Sequence, residues 1–224
     1  MYFQVQAKIT QFFQSIQGEG KYVGRRQTFI RFFGCNLQCE YCDTRLTRFR
    51  NYSVEEVKRK VVESKVKSLS LTGGEPLMQV DFLKEFLPKI CKEGFEIYLE
   101  TNATLSRNLK EIIEFMDIIS FDIKLKSSTQ QPSQWRQQEE FFSLAKSKEV
   151  FFKTVITPNT EMRDIEIMAQ FMEDKLDYTL YLQPDSRRLT PSLIKLVMYF
   201  QEYLLDKRID VRVLPQVHKF LKIP

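Results

Sequence analysis

An α/β fold is predicted for this chain, with parallel strands, outer helices and a sheet curled into a partial or modified (β/α) barrel. Three observations predict it. Short β-branched or aromatic runs alternate with amphipathic helical stretches from about residue 26 onward. No internal repeat or long linker interrupts that alternation. The polar and glycine-bearing segments fall just after the apolar runs, on the strand-end face where parallel α/β barrels carry their sites.

The elements follow in order. Gln27–Phe33 reads as a strand ending at Gly34, and Ser53-Val54-Glu55-Glu56 as a capping box opening a helix to about Ser64. Val66–Leu71 is a strand closed by Gly73-Gly74, followed by a helix near 81–92 and a strand over Phe95–Glu100. A helix near 106–115 precedes the strand Asp117–Ile123, and one near 133–147 precedes Val150–Ile156. A helix near 161–173 leads to Tyr178–Leu182, and Thr190-Pro191 starts a last helix before the strand Asp210–Leu214. Right-handed crossovers curl seven such strands toward a barrel.

The 224 residues form one expected domain, 1–224, long enough to bury a sizeable core. The net charge of +5 is spread along the chain, so it suits an acidic substrate or electron donor without demanding nucleic acid. No apolar run reaches 18 residues and no leader pattern is visible, so a cytoplasmic protein with no membrane partner is expected. Four cysteines, three of them crowded, make no disulfide framework and fit a reducing compartment.

Those three, Cys35, Cys39 and Cys42, are spaced C-x3-C-x2-C. Four thiolates would close a zinc or iron–sulfur site, whereas three on a four-iron cluster leave one iron open for chemistry. Zinc remains an alternative, with Cys91 or the lone His218 as remote fourth ligands, and unliganded cysteines are another. Cys91 sits in an apolar helical pattern and reads as a small buried thiol. In Thr72-Gly73-Gly74-Glu75-Pro76 two glycines end a strand, where the missing Cβ atoms let a ligand approach the backbone.

The cysteine spacing and the Gly-Gly-Glu-Pro stretch resemble the radical S-adenosylmethionine (SAM) enzymes. Ser15-Ile16-Gln17-Gly18-Glu19-Gly20, Gly34-Cys35-Asn36-Leu37, Cys42-Asp43-Thr44, Glu100-Thr101-Asn102 and Pro215-Gln216-Val217-His218-Lys219 together make the chain similar to the 7-carboxy-7-deazaguanine synthases. The resemblance covers essentially the whole chain. It implies a radical SAM lyase that contracts 6-carboxy-5,6,7,8-tetrahydropterin to 7-carboxy-7-deazaguanine with loss of ammonia, in queuosine and 7-deazapurine biosynthesis. SAM would be regenerated, the barrel would be of the radical SAM type, and the cofactors would be a [4Fe–4S] cluster, SAM and Mg2+.

The same resemblance implies residue roles. Cys35, Cys39 and Cys42 would hold the cluster, and Thr44 would give an oxygen to Mg2+. Tyr41, Cys42, Asp43, Gly74, Asp122, Ile123, Lys124, Gln183, Pro184, Asp185 and Ser186 would border SAM. Substrate contacts would come from Ile16, Gln17, Gly18, Glu19, Arg31, Thr72 and the Pro224 carboxylate. The Arg31 guanidinium suits the pterin carboxylate, and Glu19 suits its N–H edge. Segments of about 1–25 and 215–224 would close the site, with His218 orienting the latter.

Two departures stand out: Ala103 replaces a common family glycine, and Asp122-Ile123-Lys124 differs from some relatives. A homodimer and a reductant such as flavodoxin or ferredoxin are further expectations. Two rival functions share the motif: a glycyl-radical-type activating enzyme, and a noncatalytic zinc-binding module recognising RNA.

Overall fold

The computed structural model describes residues 5–42 and 47–224. In chain order the elements are β1 (Gln6–Ile16), β2 (Arg26–Phe32), β3 (Arg50–Ser53), α1 (Val54–Val62), β4 (Ser68–Gly73), α2 (Val80–Cys91) and β5 (Glu96–Thr101). There follow α3 (Ser106–Lys110), β6 (Ile118–Asp122), α4 (Lys126–Thr129), α5 (Trp135–Ala145), β7 (Glu149–Ile156) and α6 (Met162–Met172). The chain ends with β8 (Leu180–Pro184), α7 (Pro191–Asp206), β9 (Val211–Val213) and α8 (Val217–Leu221).

The strands form one open sheet in the order β3-β1-β2-β4-β5-β6-β7-β8-β9. From β2 to β9 every neighbouring pair is parallel. These are the seven strands the sequence predicts, and the sheet is a partial rather than closed barrel. The expected capping box is present: Ser53 Oγ accepts from the Glu56 amide and Glu56 Oε2 accepts from the Ser53 amide. The predicted helix near 106–115 is instead α3 followed by a single 3-10 turn at Ile113–Phe115.

Two strands were not foreseen. β1 pairs antiparallel with both β2 and β3, extending the sheet past its parallel part. Its register skips one residue between Ile9 and Gln11. Ala7 and Ile9 face the main core before that bulge and Phe12 faces it afterward, so the period-2 pattern changes phase mid-strand.

Alternation along the parallel strands separates two faces. Leu69 and Leu71, Ile97 and Leu99, Ile119 and Phe121, Phe152 and Ile156, and Leu180 and Leu182 join the main core. The opposite, concave face begins with a small apolar plug of Tyr98, Ile118, Phe151 and Tyr181, against which Tyr22 and Leu214 pack. Further along the same strands this face becomes polar, with Thr72, Glu100, Asp122 and Lys153 bordering one cavity.

Candidate active site

The cavity, about 540 Å³, is of the size that encloses small organic ligands. Every residue expected to contact substrate borders it: Ile16, Gln17, Gly18, Glu19, Arg31, Thr72 and Pro224. So do Cys35, Cys39, Cys42, Gly74, Asp122 and Lys124. Residues from 16 to 224 thus meet in one space. The parallel strands bring Thr72, Gly74, Asp122 and Lys124 to one end of the sheet. The end of antiparallel β1 with the turn after it, and the C-terminal segment, add residues 16–19 and Pro224.

Glycine brings the Gly-Gly-Glu-Pro turn against the cysteine loop. A Cβ on Gly74 would stand 1.8 Å from the Gly34 carbonyl oxygen, and Gly73 has a φ of +126°. The Gly74 amide donates to Phe32 O at 3.0 Å and the Glu75 amide to Gly34 O at 2.8 Å. Glu75 is fully buried and ties this turn to the end of β5, accepting from Thr101 Oγ1 at 2.9 Å and the Asn102 amide at 2.8 Å. Burial pushes its carboxyl up to about 7, although the amides of Asn102 and Leu77 pull it down.

The cysteine loop is anchored on several sides. Asn102 Nδ2 donates to Asn36 Oδ1 at 2.9 Å, the Glu40 amide to Thr129 O at 3.0 Å, and Arg188 pairs with Glu40 at 2.6 Å. Burial pushes the Cys39 thiol up, opposed by the Lys124 charge. Among the described residues no three His, Cys, Asp or Glu side chains gather around a single-ion position. A four-iron cluster has a different requirement, since its thiolates bind different irons of an extended core. Three thiols opening onto one cavity, with the Gly74 backbone packed on their loop, match that donor set. Cys91 lies on α2 with its thiol directed at Phe115 O, 4.0 Å away, and packs against the core.

The floor of the cavity carries two carboxylate-centred networks. Glu100 accepts from Gln17 Nε2 at 2.9 Å, Ser70 Oγ at 3.2 Å and Thr72 Oγ1 at 2.8 Å. Glu19 accepts from Lys153 Nζ and, at 2.7 Å, from Gln216 Nε2. Burial alone would push the Glu19 carboxyl up, but the charge and hydrogen bond of Lys153, with Gln216, hold it down at about 2. Because that value lies below the usual 4.5, the stabilisation is complete above the usual value and fades as pH falls through about 2. Lys153 also lies 3.6 Å from Asp122 Oδ2, to which Lys124 donates at 2.8 Å.

Several polar atoms in and beside the cavity are buried without a hydrogen-bond partner among the described residues: Arg31 Nε, Asp122 Oδ1, both amide atoms of Gln183 and Ser186 Oγ. Such groups are costly unless something completes them, and a polar ligand would. Arg31 lies over the Phe13 ring at 5.1 Å, and Phe13 stacks on Phe29, so an aromatic wall orients its guanidinium.

Not every expected SAM contact borders the cavity. Gln183, Pro184 and Asp185 are buried at the end of β8 and stand outside its lining, as do Ser186 and Ile123. Tyr41 is also outside, though its hydroxyl accepts from Lys124 Nζ at 3.1 Å. Asp43 and Thr44 lie outside the described residues. Ala103 does adopt the left-handed conformation a glycine would favour, with φ 56°, and its amide donates to Thr101 Oγ1. Glu100 and Lys153 are the site residues that sequence reasoning left unassigned. The signal for Lys153 was a charge within the otherwise apolar run Val150–Ile156.

Residues 29–172 match the model of the radical SAM superfamily. The chain is 33% identical to the 7-carboxy-7-deazaguanine synthase of Geobacter sulfurreducens, over 96% of this chain and 97% of that protein. It is 32% identical to that of Archaeoglobus fulgidus, over 98% and 100% of the respective chains. The chain belongs to the 7-carboxy-7-deazaguanine synthase family, within the radical SAM superfamily. Its fold also resembles the crystal structure of QueE from Escherichia coli, with a TM-score of 0.65, 21% identity and coverage of 95% of this chain and 96% of that one. Membership of the synthase family favours neither the activating-enzyme reading nor the zinc module.

Proposed function

We infer that this chain is a 7-carboxy-7-deazaguanine synthase, a carbon–nitrogen lyase that contracts 6-carboxy-5,6,7,8-tetrahydropterin to 7-carboxy-7-deazaguanine with loss of ammonia. The observation that carries it is the single cavity joining the three cysteines to Gln17, Glu19 and Arg31. The cofactors are a [4Fe–4S] cluster, SAM and Mg2+. When bound, they supply the radical chemistry that rearranges the ring.

In this reading Cys35, Cys39 and Cys42 hold the cluster and the Gly74 backbone borders SAM, with Asp122 and Lys124 beside it. The partnerless Gln183 amide and Ser186 hydroxyl support a SAM-facing role for the loop that also contains Pro184 and Asp185. Tyr41 and Ile123 support that region from behind the lining, and Asp43 and Thr44 complete the SAM and Mg2+ contacts. Arg31 takes the substrate carboxylate, while Glu19 accepts from the N–H edge of the pterin. Gln17 and Thr72 are held for contact by their shared partner Glu100.

The described part of the N-terminal segment of about 1–25 and the segment of about 215–224 close the site as parts of one domain. The Val217 amide donates to Gly18 O at 2.9 Å, and the His218 ring lies where a Gly18 side chain would be. Ile223 and Pro224 reach the cavity beside them. No helix among the described residues is long and apolar enough to cross a membrane. An acidic flavodoxin or ferredoxin is the reductant that suits the net charge of +5. A homodimer is the expected assembly, and Met198, Tyr199 and Leu205 on α7 are exposed apolar side chains available to such an interface.

The substrate assignment is tested at Arg31. Arg31→Met is expected to raise the KM for carboxytetrahydropterin about 100-fold, the scale of a lost charge-assisted pair. Wild-type protein should bind tetrahydropterin lacking the carboxylate about as weakly as Arg31→Met binds the natural substrate. An unchanged KM in Arg31→Met would remove the carboxylate from this position.

A further inference from the structure

We propose that Lys153 is a positioning residue for the pterin site, holding the Glu19 carboxylate in its receiving orientation and tying it to Asp122. The proposal rests on the function inferred above, because Glu19 is there assigned to the substrate.

Lys153 occupies the middle of β7, and its side chain is only 8% exposed. Strand alternation turns it to the concave face with Phe151, whereas Val150 and Phe152 on the opposite face join the main core. Its ammonium bonds Glu19 and lies 3.6 Å from Asp122 Oδ2. Asp122 accepts from Lys124, and Lys124 reaches the Tyr41 hydroxyl in the cysteine loop. On the other side Glu19 accepts from Gln216. A continuous polar chain therefore runs from the C-terminal segment through Lys153 to the cysteine loop.

A buried ion pair adds little net stability compared with apolar packing, so stability alone is a weak reason for a lysine here. Without its charge, however, Glu19 and Asp122 would be two neighbouring carboxylates deprived of the ammonium they share, with Lys124 beside Asp122 and His218 near Glu19. Glu19 would turn toward solvent or accept a proton. Either change removes the fixed acceptor that the pterin N–H edge needs. The lysine thus acts through Glu19.

The test is a double-mutant cycle on cluster-reconstituted protein with SAM, using carboxytetrahydropterin as the probe. Lys153→Met is expected to raise pterin KM and equilibrium Kd at least about 30-fold, as expected for truncating one member of a buried charge pair. In a Glu19→Gln background the same change should add less than about 3-fold. Lys153→Arg, which keeps the charge, should recover much of the affinity. If Lys153→Met fails to load iron, Lys153→Gln in the same cycle decides.

Full multiplication of the two effects, or a lowered Tm with unchanged pterin KM, would overturn the role given to Lys153. Wild-type protein that neither binds nor converts the pterin would overturn the function and this role together. Wild-type turnover combined with a multiplicative cycle would overturn the role alone.

Discussion

Gly74→Ala is expected to yield a folded protein that loads little cluster and loses about 10²-fold or more in turnover. The added Cβ would stand 1.8 Å from Gly34 O and 3.1 Å from the Cys35 amide. Both contacts are backbone, so no side chain can rotate away. The end of β4 and the start of the cysteine loop must separate, which breaks the 2.8 Å bond from the Glu75 amide to Gly34 O. Overpacking of this kind costs about 1–3 kcal/mol, and a shift near 1 Å at a reacting centre costs about 10²-fold in rate. Iron and sulfide content, thermal unfolding and SAM cleavage measure the three consequences. Wild-type iron loading with wild-type turnover would mean that the turn and the loop are not packed as described.

Glu100→Ala is the second large effect. The carboxylate is the shared acceptor of Gln17, Ser70 and Thr72, drawn from the N-terminal turn and from β4. Its loss leaves buried donors unsatisfied, each costing about 1–3 kcal/mol. Gln17 retains a bond to Gln27 Oε1 at 3.1 Å, so it is displaced rather than released. We expect a lowered Tm together with a pterin KM raised by about 10²-fold, because Gln17 and Thr72 both border the cavity. Glu100→Gln should be milder, since its amide carbonyl still accepts while its NH2 opposes a donor. Steady-state kinetics and thermal unfolding separate the effects. A drop in Tm with unchanged KM would leave Glu100 a purely structural residue.

The parallel strands were legible because strands packed on both faces read as compact apolar runs bounded by glycine, proline or polar turns. β1 was hidden by its own bulge: Ala7 and Ile9 set one phase of alternation and Phe12 the other, so no single period spans the strand. β3 is four residues long at the sheet edge, with Arg50 and Asn51 exposed, and carries little hydrophobic signal. The cysteine loop and Gly73-Gly74 were legible because their chemistry depends on local spacing.

Glu100 and Lys153 depend instead on contacts across the sheet. Lys153 meets a carboxylate 134 residues earlier, and Glu100 meets an amide 83 residues earlier. Sequence patterning can place these charges on inward strand positions but cannot pair them. The same limit applies to the loop after β8, whose Arg188 pairs with Glu40 in the cysteine loop.

The most direct measurement is anaerobic turnover of reconstituted protein with SAM, reductant, Mg2+ and 6-carboxy-5,6,7,8-tetrahydropterin, followed by liquid chromatography and mass spectrometry. The account predicts 7-carboxy-7-deazaguanine from the wild type and none from Cys39→Ala, whose cluster would lack one of three thiolate ligands. SAM cleavage without that product would contradict the substrate, and zinc-loaded protein that leaves SAM intact would contradict the cluster and the enzyme together.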